Sequence, residues 1–255
     1  MARWIRFAHK QEIAFGQIEG DSVHVFSGDL FGDCRPSGQV LPLAGLQPLR
    51  PIQRPGKTIA MYNNFLALLT KMNVTPPKEP QYLLKPPNSY LDPGATIPRP
   101  SCDSRVVFEG ELAVVIGKTT KAVSPAAALD HVFGYTCVND VTAVDLLTRD
   151  PSFQHWVRAK GFDGFCPFGP VIATGLDPSR LVVRTTLNGT VRQDYPISDM
   201  LFGVPQIVSA LSHDMTLEPG DMILCGTSVG VGVMKPDSLV EVEIAGIGKL
   251  ANRID

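Results

Sequence analysis

From Val106 to the C-terminus the apolar residues come in short runs: VVFEGELAVVIG, HVFGYTCVND, PVIATG, LVVRTTL, MILCGT and LVEVEIAGIGKL. Each is bounded by turn-forming residues, and runs of this length suit strands, because a packed helix needs roughly 10 or more residues of 3.6-residue periodicity. Between two of them, TTLNGTVRQDY predicts a hairpin, since Asn188-Gly189 accepts the positive φ values of a type I′ turn. Helical periodicity is confined to SPAAALDHV with Ser124 as N-cap, TAVDLLTRD, and GVPQIVSALSHDM. The fold class is therefore mostly β with short helices (α+β).

Upstream, WIRFAHKQEIAFGQIEGDSVHVF alternates apolar and polar residues around a Gly20-Asp21 turn, which predicts a hairpin within a small N-terminal β domain, residues 1–50. The stretch GDCRPSGQVLPLAGLQPLRPIQRPG, residues 32–56, carries five prolines and four glycines and reads as a connection, not as helix or central strand. A main domain, residues 58–255, then opens with KTIAMYNNFLALLTKMN, a short strand leading into a short helix. The proline-rich TPPKEPQYLLKPPNSYLDPGATIPRP, with QYLL as a strand inside it, predicts a structured surface loop near a site.

Composition narrows the function. The chain has 255 residues, 44% hydrophobic and 19% charged, with a net charge of -2. A single large core is affordable at this size, and no basic excess points to nucleic acid or an acidic membrane surface. The five cysteines are scattered and form no C-x-x-C pair, which argues against a disulfide framework or a zinc ribbon. No signal-peptide core opens the chain, and no apolar run approaches the roughly 20 residues of a membrane span, so the expectation is a cytoplasmic protein.

Within VVFEGELAVVIGK, Glu109 and Glu111 stand two apart in an apolar run. On a strand they share a face, with Cβ atoms about 7 Å apart. Two carboxylates on a poorly hydrated face repel, so either one is protonated or a cation sits between them; the other reading is an exposed strand end with both solvated. Asp140 ends the run HVFGYTCVND, either as a third member of the set or as a turn former after Asn139. Three carboxylates without paired histidines or thiols make an oxygen-rich set suited to Mg²⁺ or Mn²⁺.

Five segments in order, FEGELAVVIGK, GYTCVNDVTAVD, RAKGFDGFCPFGPVI, LNGTVRQDYPISDMLF and LEPGDMILCGTSVGVG, closely resemble the C-terminal catalytic domain of the fumarylacetoacetate hydrolase family. The resemblance covers about residues 58–255, and the N-terminal segment is similar to the small domain many members carry. It implies a mixed β-sandwich roll, a homodimer, and a divalent metal held by Glu109, Glu111 and Asp140. It also implies a 2-oxo acid or β-dicarbonyl substrate of carbon or aromatic catabolism, processed through an enolate that the metal stabilises. By the same matching, Lys160 lies near the metal, against the reading of a surface lysine. Asp163 orients Lys160 or a water at the metal, or else caps its turn. Thr227 and Gly226, in GTSVGVG, meet a substrate carboxylate, where such a glycine-rich run alone means only a tight bend.

The chain also departs from the family pattern. Where hydrolysing members carry Asn-Tyr-x-x-His-x-x-Glu, this sequence places Leu68 at the histidine and Lys71 at the glutamate, with both side chains expected toward the pocket. His155 is expected to pack beside Trp156, although a replacement base is the other reading. The family's Thr-Ala-Arg-Asp-x-Gln becomes Thr142-Ala143-Val144-Asp145-Leu146-Leu147, which predicts a more apolar pocket. Leucine transfers no proton, so decarboxylation or keto–enol isomerisation is favoured over C–C hydrolysis of acylpyruvates, the alternative. A silent ligand-binding descendant is the competing class; the intact Glu109, Glu111, Asp140 and Lys160 argue against it.

Overall fold

A series of hairpins opens the chain. Strands β1 (Arg3–His9), β2 (Glu12–Glu19), β3 (Ser22–Gly28) and β4 (Cys34–Pro42) pair antiparallel in sequence order, and β5 (Gln47–Leu49) returns onto β1. The Gly20-Asp21 turn lies where the alternation placed it, between Glu19 and Ser22. The preceding turn uses Lys10 and Gln11, both at positive φ (48° and 69°), and has no glycine to betray it. Much of the proline-rich 32–56 stretch is strand, contrary to expectation. β4 lies at the sheet edge, where Pro36 and Pro42 remove no hydrogen bond that an inner ladder needs.

The computed structural model describes residues 1–255. After β5 come β6 (Thr58–Tyr62), α1 (Leu66–Met72), β7 (Gln81–Leu84), β8 (Tyr90–Leu91), β9 (Val106–Phe108), β10 (Gly110–Ile116) and β11 (Val132–Asn139). β12 (Thr142–Ala143), α2 (Trp156–Lys160), β13 (Cys166–Ala173), β14 (Val182–Leu187) and β15 (Thr190–Pro196) follow. α3 (Val204–Asp214), β16 (Met222–Leu224), β17 (Gly232–Val233), β18 (Leu239–Ile244) and β19 (Gly248–Arg253) complete the chain.

The strands form a 12-stranded mixed sheet in the order β4-β3-β2-β1-β13-β11-β10-β16-β6-β7, with β5 on β1 and β8 on β13. A four-stranded sheet, β15-β14-β18-β19, packs across β10, β11 and β13, and a small third sheet runs β12-β9-β17. Because β1 bonds to β13 (Arg3 to Ala173, Ile5 to Val171), the N-terminal hairpins continue the large sheet. β10 is buried on both faces: Leu112, Val114 and Ile116 join one core with Val183, Val242 and Ile244, while Ala113 and Val115 join another with Trp4 and Phe168. Its unbroken apolar run is the consequence.

Among the helices, α3 presents Val204, Ile207, Val208 and Leu211 to the core at helical spacing. α1 ends at Asn73, whose left-handed backbone (φ 53°) turns its N–H onto Leu69 and Thr70 carbonyls. Two expected helices are only single 3₁₀ turns. In SPAAALDHV the turn is Ala128–His131 and the Ser124 side chain caps nothing, since the chain re-enters strand at Val132. In TAVDLLTRD the sheet claims Thr142 and Ala143 through Val107 and Val106, which leaves only Val144–Leu146 for a turn. No helix is long and apolar enough to cross a membrane.

Candidate active site

Strand pairing lapses at Glu109. β9 belongs to the small sheet and β10 to the large one, so the two glutamates converge across a break, not along one continuous face. Two bonds from the end of β11 fix that break: Glu109 N–H donates to Asn139 Oδ1 (2.9 Å) and Asp140 N–H to the Glu109 carbonyl (2.8 Å). Glycine is required at the crossing, since a Cβ on Gly110 would stand 2.0 Å from Thr185 Oγ1. The result places ligand atoms of Glu109, Glu111 and Asp140 within 4.8 Å of one another.

Two lysines enter the cluster. Lys160, at the end of α2 and buried, donates to Glu109 Oε2 (2.9 Å), Asp140 Oδ2 (2.5 Å) and Thr142 Oγ1 (2.8 Å). Lys85, also buried, donates to the other oxygen of Asp140 at 2.5 Å. Burial would raise the Asp140 carboxyl, but Lys160 and Lys85 hold it below the ordinary range. Burial likewise opposes the Lys160 ammonium, yet Asp140, Glu109 and Glu111 keep it above the ordinary lysine range, so it stays charged. Glu111 contacts neither lysine; its Oε2 accepts only from Gly226 N–H (2.8 Å), and burial together with Asp140 pushes its carboxyl well up.

That imbalance is the observation that bears on a metal. Three carboxylates face two ammoniums, and the least compensated acid, Glu111, is a buried one. An all-oxygen donor set short of one positive charge fits a hard divalent cation such as Mg²⁺ or Mn²⁺. Thiol chemistry does not compete. Burial pushes the Cys166 thiol up to about 12, where it carries its proton.

Beside the carboxylates lies a cavity of about 220 Å³ lined by Glu109, Lys160 and Thr227 at one end and by Leu68, Val144 and Leu147 among its apolar walls. The apolar pocket expected from the altered Thr142–Leu147 segment is present. Leu68 faces it as expected, but Lys71 is exposed and off the lining; Met72, a full turn after Leu68, lies there instead. Three further expectations are corrected. Asp163 is exposed and accepts from Asn88 Nδ2 (2.7 Å), with no bond to Lys160, so it holds a loop and does not orient the lysine. Gly226 gives its N–H to Glu111 and has none left for a substrate carboxylate. His155 packs on Phe153 (centroids 5.3 Å), while Trp156 packs on Tyr62 (4.5 Å).

Thr227 does line the cavity, held by donation to the Gly110 carbonyl (3.1 Å) and by Gln193 Nε2 (2.8 Å). Gln193 and Lys85 were missed from sequence. Gln193 is buried and also accepts from Gly110 N–H (3.1 Å); its only signal was an inward position beside Tyr195 on an alternating strand. Lys85 followed the QYLL strand without a charged neighbour, and that isolation was the available signal.

Residues 57–255 match the family model described as fumarylacetoacetate (FAA) hydrolase C-terminal. The chain belongs to the fumarylacetoacetate hydrolase family. Residues 2–51 of this family member match a second model, described as Rv2993c-like, N-terminal. The solved 5-carboxymethyl-2-hydroxymuconate delta-isomerase of Mycobacterium smegmatis superposes with a TM-score of 0.90 at 40% identity, covering 99% of this chain and 98% of that one. Oxaloacetate tautomerase YisK of Bacillus subtilis is 38% identical over 218 residues, 80% of this chain and 71% of that one. The 4-hydroxyphenylacetate degradation bifunctional isomerase/decarboxylase of Salmonella dublin is 39% identical over 207 residues, 80% of this chain but 48% of that longer protein. Fumarylacetoacetate hydrolase family relatives of this chain thus include isomerases, a tautomerase and an isomerase/decarboxylase.

Proposed function

We propose that this chain is a Mg²⁺- or Mn²⁺-dependent enzyme that isomerises or decarboxylates a 2-oxo acid or β-keto acid through its enolate. The observation that carries the reading is the pairing of the acidic cluster with an apolar cavity wall, where Leu68 stands in place of a proton-transferring side chain. Glu109, Glu111 and Asp140 would hold the cation. When bound, that cation supplies Lewis acidity toward the substrate's carboxylate and neighbouring carbonyl. Lys160 faces the cavity, and in the metal-free site its carboxylate neighbours hold its ammonium above the ordinary lysine range, so its proposed role is to stabilise negative charge growing on oxygen and not to act as the base. Thr227 offers a hydroxyl at the same end, and the apolar walls exclude water, which favours reprotonating an enolate over hydrolysis.

The same proposal takes residues 1–50 as a small N-terminal unit built onto a 58–255 catalytic unit, with a homodimer in the cytoplasm as the working form. The test is product partitioning with Mn²⁺ saturating: tautomerisation of oxaloacetate and phenylpyruvate, decarboxylation of oxaloacetate, and cleavage of an acylpyruvate. Metal-dependent tautomerase or decarboxylase activity exceeding cleavage is the expected result. Efficient cleavage with neither of the other activities would overturn the ranking, and no activity with any metal would favour a ligand-binding descendant.

A further inference from the structure

The cavity beside the acidic cluster has two chemically different ends. Glu109, Lys160 and Thr227 lie at one; the remainder is mainly apolar, walled by Leu68, Met72, Leu83, Val144, Leu147 and Val231, with the neutral amide of Asn63 among them. Tyr62 and Trp156 add an edge-on aromatic pair to the lining. Lys160 is the only cation on the lining, and its ammonium already serves Glu109, Asp140 and Thr142. Lys71, the nearest basic residue on α1, is exposed and off the cavity. The far end therefore has no cation to pair with a second carboxylate, and the Asn63 amide already donates to Gln81 Oε1 (3.1 Å).

On the reading above, in which the acidic end takes the 2-oxo acid head, we infer that the substrate's far end is an uncharged apolar group of a few carbons. A carboxylate there would lose its hydration against aliphatic walls with no ion pair to replace it. A volume of about 220 Å³ also lies below the range of roughly 300–1,000 Å³ for drug-sized ligands, which limits the tail to a short alkyl or a single aryl group. The chain would then differ in specificity from its oxaloacetate-tautomerising relative, whose named substrate is a dicarboxylate.

The experiment is isothermal titration calorimetry of the Mn²⁺-saturated full-length protein with 2-oxobutanoate, 2-oxohexanoate and 2-oxoadipate. The last two match in length and differ only in a terminal methyl against a terminal carboxylate. Each buried methylene is worth about fourfold in affinity, so 2-oxohexanoate should bind about 15-fold tighter than 2-oxobutanoate. It should also bind at least about tenfold tighter than 2-oxoadipate, given an unpaired carboxylate in an apolar site. Leu147→Arg should narrow or invert that last ratio by supplying a cation. The wild-type ratio decides the matter even if this variant does not fold. Equal or tighter binding of 2-oxoadipate overturns the inference and leaves the acidic head site standing, whereas failure of all three ligands overturns both.

Discussion

Lys85 has no exposed side-chain surface, and its ammonium touches Asp140 Oδ1 at 2.5 Å, with the Val141 carbonyl at 3.5 Å. Lys85→Met keeps the length and most of the apolar volume, so the perturbation is the loss of one buried charge and not a cavity. Breaking one side of a buried ion pair costs about 3–5 kcal/mol, and the lower end applies because Lys160 still neutralises Asp140 through its other oxygen. For a chain of this size each kcal/mol moves Tm by roughly 2–4 °C, so a loss of about 3 kcal/mol lowers the metal-free Tm by about 6–12 °C. Saturating Mn²⁺ should close part of that gap. It returns positive charge to the carboxylates, and the variant, being more negative there, gains more from it than the wild type. Circular dichroism melting with and without Mn²⁺ reads both effects. A metal-free Tm within about 2 °C of wild type, or a deficit that Mn²⁺ leaves unchanged, refutes the reasoning.

Glu111→Gln keeps an acceptor for Gly226 N–H and removes a carboxyl that burial and Asp140 disfavour, so the metal-free protein should melt higher. Calorimetry should show its Mn²⁺ affinity falling by about 100-fold or more; unchanged affinity removes Glu111 from the ligand set. Lys160→Met should lower kcat by about 10²-fold with a smaller change in KM, whereas an effect confined to KM would assign the lysine to ground-state binding. Leu68→His should raise the share of acylpyruvate cleavage among the products at saturating Mn²⁺; an unchanged share means that the α1 wall does not control water.

How much of this was legible in the sequence depended on range. β10 announced itself because burial on both faces demands an unbroken apolar run, and the hairpin at Asn188-Gly189 because two positive φ values demand those residues. Local patterns do not reveal β4, since an edge strand tolerates prolines that elsewhere mark a loop. The triad emerged from ordered motifs, but its supports did not: Lys85 meets Asp140 across 55 positions and Gly226 meets Glu111 across 115. Nor does adjacency in a motif establish contact. Asp163 lies three residues from Lys160 and turns outward to Asn88, because Gly161 and Gly164 bend the chain between the buried end of α2 and β13.

Charge balance links these parts. Three carboxylates against two ammoniums leave one net negative charge in a largely buried site, and burial together with Asp140 pushes the Glu111 carboxyl up there. On the proposed reading, a divalent cation held by these carboxylates would leave one net positive charge, the complement of a monoanionic 2-oxo acid. A monovalent cation would leave none, and so no electrostatic reason to gather the substrate's head. Lys85 enters this balance as much as Lys160 does, although it does not line the cavity. Without it the same site would reach neutrality on binding the metal alone. On that reading the buried lysine that the motifs did not reveal would be what leaves a positive charge for the substrate's head, and the apolar walls beyond it would strengthen that charge by limiting its hydration.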